Sequence, residues 1–175
     1  MKKILVTLVV ALTAVGGAAA QFVGEPVEIS AAFPEIIIAA RQGDIQAIEE
    51  FLEAGQYIDV ADGFWQTTPL MEAAQRGDEN TVMYLLRNGA LVNKIDRDGR
   101  TALIHASTIG SFSTIQTLLD FGADPNLGDR AGRTPLMLAA ACGDCNSVCS
   151  LLQWGADTTV ACEGGLNAYD YAVAS

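Results

Sequence analysis

Thr68-Pro69-Leu70-Met71-Glu72-Ala73-Ala74 and Thr134-Pro135-Leu136-Met137-Leu138-Ala139-Ala140 are the same seven positions written twice, 66 residues apart. Halfway between them stands Thr101-Ala102-Leu103-Ile104-His105-Ala106-Ser107, so the true period is 33. Thr-Pro places a capping hydroxyl before a proline at the first helical position, where the missing N–H costs nothing. The small residues that follow let a second helix approach closely. Moving outward, Gly77, Gly110 and Gly143 keep the period, and so do Gly89, Gly122 and Gly155. The first set fits a tight turn and the second a helix terminator. Between them lie Leu85-Leu86, Leu118-Leu119 and Leu151-Leu152, each closing a second helix. Stretches such as Asp96-Arg97-Asp98-Gly99-Arg100 then read as turns between units. A period of this length carried by so many positions describes a stack of helix-turn-helix units.

The pattern resembles the ankyrin repeat. Thr134-Pro135-Leu136-Met137-Leu138-Ala139-Ala140 and Gly122-Ala123-Asp124-Pro125-Asn126 carry the likeness most clearly. The usual histidine of the first helix is replaced by Met71, Ile104 and Met137, and the second full unit has Thr101-Ala102 for Thr-Pro. The resemblance implies an all-α solenoid of 33-residue units joined by hairpin-like turns. It covers residues 32–175: a cap repeat at 32–61, full repeats at 62–95, 96–128 and 129–161, and a partial repeat at 162–175. The ends of such stacks are atypical because their outer faces meet solvent.

The first residues belong to a different element. Met1-Lys2-Lys3, an apolar run from Ile4 to Val15 and then Gly16-Gly17-Ala18-Ala19-Ala20 predict a secretory signal peptide at residues 1–20, cut after Ala20. Residues 21–31 follow as a leader. The short apolar run and its glycines disfavour an anchor that stays in the membrane. The expected location is the periplasm or the outside of the cell, with no membrane insertion after cleavage.

Composition narrows the function. The 175 residues are 50% hydrophobic, only 18% charged, and carry a net charge of −11. Mean hydropathy is +0.27, far too apolar for a disordered acidic tail. Loss of Lys2 and Lys3 with the signal leaves 8 basic against 21 acidic residues, a net charge of −13. That balance argues against a nucleic-acid partner.

Four cysteines, Cys142, Cys145, Cys149 and Cys162, are confined to the last third of the chain. In an oxidising compartment an even count suggests disulfides, and Cys142–Cys145 across the turn at Gly143-Asp144 is the favoured pair. Redox activity at Cys142 and Cys145, or zinc held by thiolates, are the sharper alternatives. The single histidine, His105, falls beside core positions of a first helix and reads as a hydrogen-bonded packing residue. No phosphate-binding glycine loop or His-rich metal motif is present in the sequence, and neither an enzyme nor a cofactor is expected.

The repeat register carries Arg41, Arg76, Arg97, Arg100, Arg130 and Arg133 to the turn tips and first-helix face that the resemblance makes the binding side. These are six of the eight basic residues left after the signal. They would form either an anion-facing surface or solvated ladders neutralised by Asp96, Asp98 and Asp129. One residue is inserted near Asp62-Gly63-Phe64-Trp65-Gln66, placing Phe64 and Trp65 at an exposed tip or folded back on the first unit. The expected function is capture of a protein partner through this surface. The rival readings are a redox or disulfide-linked accessory protein and a structural accessory whose acidic face keeps it soluble.

Overall fold

A computed structural model describes residues 34–174. The expected signal peptide at 1–20 and leader at 21–31 lie outside the described residues. Helices come in pairs: α1 (Glu35–Gln42) with α2 (Ile45–Glu53), α3 (Pro69–Arg76) with α4 (Glu79–Arg87), α5 (Ala102–Ile109) with α6 (Phe112–Asp120), and α7 (Pro135–Ala141) with α8 (Cys145–Gln153). A single helix, α9 (Ala168–Ala174), follows. First helices stack on first helices in the order α1, α3, α5, α7, α9, and second helices stack as α4, α6, α8. No strand occurs among the described residues, and no helix there is long and apolar enough to cross a membrane.

The sequence signals act where the repeat register puts them. Thr68, Thr101 and Thr134 accept hydrogen bonds from the N–H of Met71, Ile104 and Met137, and Pro69 and Pro135 occupy the first helical turn. Second helices start on Asp44, Asp78 and Asp144, whose carboxylates accept from backbone N–H groups two or three residues on. Gly77 closes α3 in the left-handed region at φ +73°, and a Cβ there would also press on Ile109 and Ser111 of the next unit. The core runs the length of the stack as a ladder of Leu85, Leu118 and Leu151, all fully buried. Ala73, Ala106 and Ala139 are buried on the first helices, and their small size lets the layers close.

Successive units are also stitched through backbone polar groups. Arg97 N–H donates to the Trp65 carbonyl at 2.8 Å, Arg130 N–H to Asp98 at 3.0 Å and Glu163 N–H to Ala131 at 2.9 Å. On the opposite edge, Asn93 bridges the Gly122 carbonyl and the Asp124 N–H, and Asn126 does the same for Gly155 and Asp157. These bonds satisfy turn groups that helices cannot reach.

Candidate functional site

Each turn tip is organised by one acidic residue. Asp62, Asp96 and Asp129 begin successive tips, and all three are buried. Asp96 Oδ1 accepts from the N–H of Asp98 and Arg100, and Asp129 Oδ1 from Ala131 and Arg133. Asp62 accepts from the N–H of Phe64, Trp65, Gln66 and Thr67 and from the Thr67 hydroxyl. Its loop holds the inserted residue ahead of Trp65, and Gln66 takes, at φ +58°, the left-handed position that Gly99 and Gly132 hold in the next tips. Burial alone would push the Asp62 and Asp129 carboxyls up. The hydrogen bonds from Thr67 and the Trp65 and Phe64 N–H groups outweigh this at Asp62, and those from Arg133 do so at Asp129, so both sit below the usual carboxylate range.

Between these tips and the first helices lies a recess of about 560 Å³, open to solvent. Trp65 and Arg100 reach it from the tips, and Arg41, Glu72, Arg76 and His105 from α1, α3 and α5. Its acids are largely spoken for. Arg41 grips buried Glu72 with two hydrogen bonds of 2.8 and 2.9 Å, and that bond raises the Arg41 pKa above its ordinary value. His105 Nε2–H donates to Asp96 Oδ2 at 2.9 Å, with both side chains buried. The expectation of a hydrogen-bonded packing histidine is therefore met, with a partner the sequence reading did not name. Arg76 donates to the Arg41 carbonyl at 3.0 Å and, among the described residues, to no carboxylate. Among the described residues the Arg100 guanidinium has no ion-pair partner. Two cations thus face the recess against the one remaining carboxylate, Asp98.

Not all six arginines face the recess. Trp65, Arg76, Arg100 and Arg41 meet there, whereas Arg133 turns back onto Asp129 at 2.6 and 2.8 Å. Arg97 lies 5.3 Å above the Phe64 ring and donates to the Phe64 carbonyl. Phe64 meets Trp65 edge-on at 4.8 Å, and the two rings remain 57% and 50% exposed. They project from the tip rather than folding onto the first unit. Arg130 sits on the next tip, outside the recess. The missed pairings had a register signal: Glu72, His105 and Leu138 occupy one equivalent position, so a buried polar residue there must find a partner in the tip or the neighbouring helix.

The cysteines depart from expectation. All four are free thiols in this structure, and Cys142 and Cys145 form no bridge. Cys142 closes α7 with its Sγ directed to the Thr108 carbonyl of the preceding unit, at 3.2 Å, while Cys145 Sγ approaches the Gly143 carbonyl. Among the described residues no group of three or more metal-ligating side chains converges. Cys162 occupies the register position of Asp62, Asp96 and Asp129, and its N–H donates to the Leu166 carbonyl as theirs do to Thr67, Arg100 and Arg133. The Leu166 N–H, followed by those of Gly164 and the Tyr171 hydroxyl, favours the thiolate and lowers its pKa. Site-resolved alkylation should therefore give Cys162 a lower pH midpoint than an unperturbed thiol. Tyr171→Phe should move that midpoint up; an unchanged midpoint would remove the hydroxyl from the account.

A family model for ankyrin repeats, in three copies, matches residues 36–129 and again 70–162. The chain belongs to the ankyrin-repeat family. Ankyrin repeats are generally protein–protein interaction modules and typically non-enzymatic. The recess of this ankyrin-repeat protein lies between turn tips and first helices, the side that the resemblance implies for partner contact.

Proposed function

We propose that this ankyrin-repeat protein captures an acidic segment of a protein partner in the recess beneath Trp65, with Arg76 and Arg100 receiving the partner's carboxylates. One observation carries the reading: among the described residues Arg100 has no ion-pair partner, and it stands at the mouth of a recess whose buried acids, Glu72 and Asp96, are already satisfied. A paired arginine gains little from a new carboxylate, while a free, partly enclosed one gains a charge-assisted hydrogen bond. Trp65 and Phe64 supply the exposed aromatic surface on which interface energy concentrates. The remaining acidity of the chain repels other acidic surfaces and so sharpens the choice of docking face. Export belongs to the same proposal and is supported by the Met1–Ala20 pattern.

Cross-linking and affinity capture from the envelope fraction, with wild type beside Trp65→Ala and Arg100→Glu, test the reading. A specific partner should be lost from both variants, with at least about a tenfold fall in affinity for Arg100→Glu, and wild-type capture should weaken as salt rises. Equal recovery with all three proteins would move the interface elsewhere. Variants lacking the thiols serve as the redox comparison: Cys142→Ser with Cys145→Ser should leave partner recovery unchanged.

A further inference from the structure

The end of the stack at α8 and α9 holds a second recess, of about 540 Å³, with no charged residue in its lining. In a chain of net charge −11 this is an apolar exception. The repeat register states what such a surface ordinarily meets. Leu86 of α4 and Leu119 of α6 are 6% and 0% exposed, because the next second helix covers each of them. Their equivalent on α8, Leu152, is 43% exposed. Val82 and Ile115 are likewise fully buried, whereas Val148 is only partly covered. Ser150 of α8 donates its hydroxyl to Gln116 Oε1 of α6 at 2.6 Å, which shows which residues face each other across this layer. The equivalent of Gln116 on α8 is Cys149, which lines the recess. Among the described residues, α9 packs on α7 and has no second helix beside it.

We infer that the recess between α8 and α9 is a docking groove for an amphipathic helix supplied by a partner protein. The groove continues an interface that the same chain repeats twice, from α4 to α6 and from α6 to α8, so its occupant has the chemistry of those helices. That chemistry is a small hydroxyl residue, a β-branched residue, two variable positions and a Leu pair: Thr81-Val82 with Leu85-Leu86, Thr114-Ile115 with Leu118-Leu119, and Ser147-Val148 with Leu151-Leu152. The hydroxyl keeps the helices close, and the first leucine of the pair packs inward beside it, while the second faces away from α8, as Leu152 faces away from α6 into the recess. Cys149 then lies against the position equivalent to Ser150 on the incoming helix. This groove is separate from the recess at Trp65 and stands or falls independently of it.

A synthetic peptide of residues 111–122 carrying Thr117→Cys, activated as its 2-pyridyl disulfide, tests the assignment on the full chain. The Cys149 thiolate would attack the peptide sulfur, forming the Cys149–peptide disulfide and expelling pyridine-2-thione. Docking in register should make Cys149 the labelled residue, by about tenfold or more over Cys142, which is also exposed but lies outside the groove, because binding raises the local peptide concentration. Leu152→Asp should abolish that preference; the side chain is exposed, so unchanged far-UV circular dichroism would show the fold intact. Labelling spread evenly over the cysteines, or a preference that survives Leu152→Asp, would overturn the inference. A stable dimer with Cys149 protected would also overturn it, by assigning the groove to a second copy.

Discussion

Leu118→Ala should lower the unfolding free energy by about 3–5 kcal/mol, in the upper part of the range for buried Leu→Ala changes. Leu118 is fully buried on α6, and α6 packs between α4 and α8. Deleting its branched end removes contacts to both neighbours, and helices anchored on both sides have little freedom to collapse into the space. The same substitution at Leu152, on the open face of α8, should cost less than about 1 kcal/mol, since much of that side chain already meets water. In a stack, stability is shared between units and their interfaces, so weakening the centre loosens both halves. Urea unfolding followed by far-UV circular dichroism measures both changes. A cost below about 1 kcal/mol at Leu118 would mean that the central layer can close over the lost volume.

The residues of that layer were readable in advance because periodicity reports burial directly. A Leu pair returning every 33 residues has no reason to repeat except that the same surface is covered each time. The caps were readable for a similar reason: Thr before Pro, and Gly after a helix, solve a local backbone problem within a few residues. The site was less legible because its pairings cross between units. Nothing near Glu72 in sequence announces Arg41, 31 residues away, and His105 meets Asp96 only once the tip has folded over α5. The six arginines shared a register but not a fate. Arg133 found an acid within its own tip, Arg97 found a ring in the preceding one, and Arg100 found neither. For the cysteines, closeness in sequence suggested a bridge between Cys142 and Cys145, but the two thiols are directed to different carbonyls. The informative cysteine was Cys162, whose register position belongs to aspartate in the preceding three tips.

Those tip aspartates lead to the second large effect. Asp129→Ala should cost on the order of 2–3 kcal/mol at neutral pH, because the carboxylate accepts from two backbone N–H groups and from the Arg133 guanidinium, and bonds to charged groups lie at the strong end. Its loss strands these donors in a turn that also anchors Glu163 of the next unit through the Ala131 carbonyl. The pH dependence has a fixed sign. The folded-state carboxyls of Asp129 and Asp62 lie below the unfolded value, so the folded chain holds them ionised where the unfolded chain begins to protonate. Their contribution is complete above the ordinary carboxylate range, about pH 4, and is lost as pH falls from there through the lowered folded values. Wild type should therefore lose stability steeply on acidification below about pH 5. Asp62→Asn with Asp129→Asn should start less stable at pH 7, yet lose less between pH 7 and pH 3, because an amide keeps an acceptor oxygen and does not titrate. Urea midpoints across that interval decide the matter. Parallel curves for wild type and the double variant would place the acid sensitivity on other carboxylates and leave the tips as neutral turns.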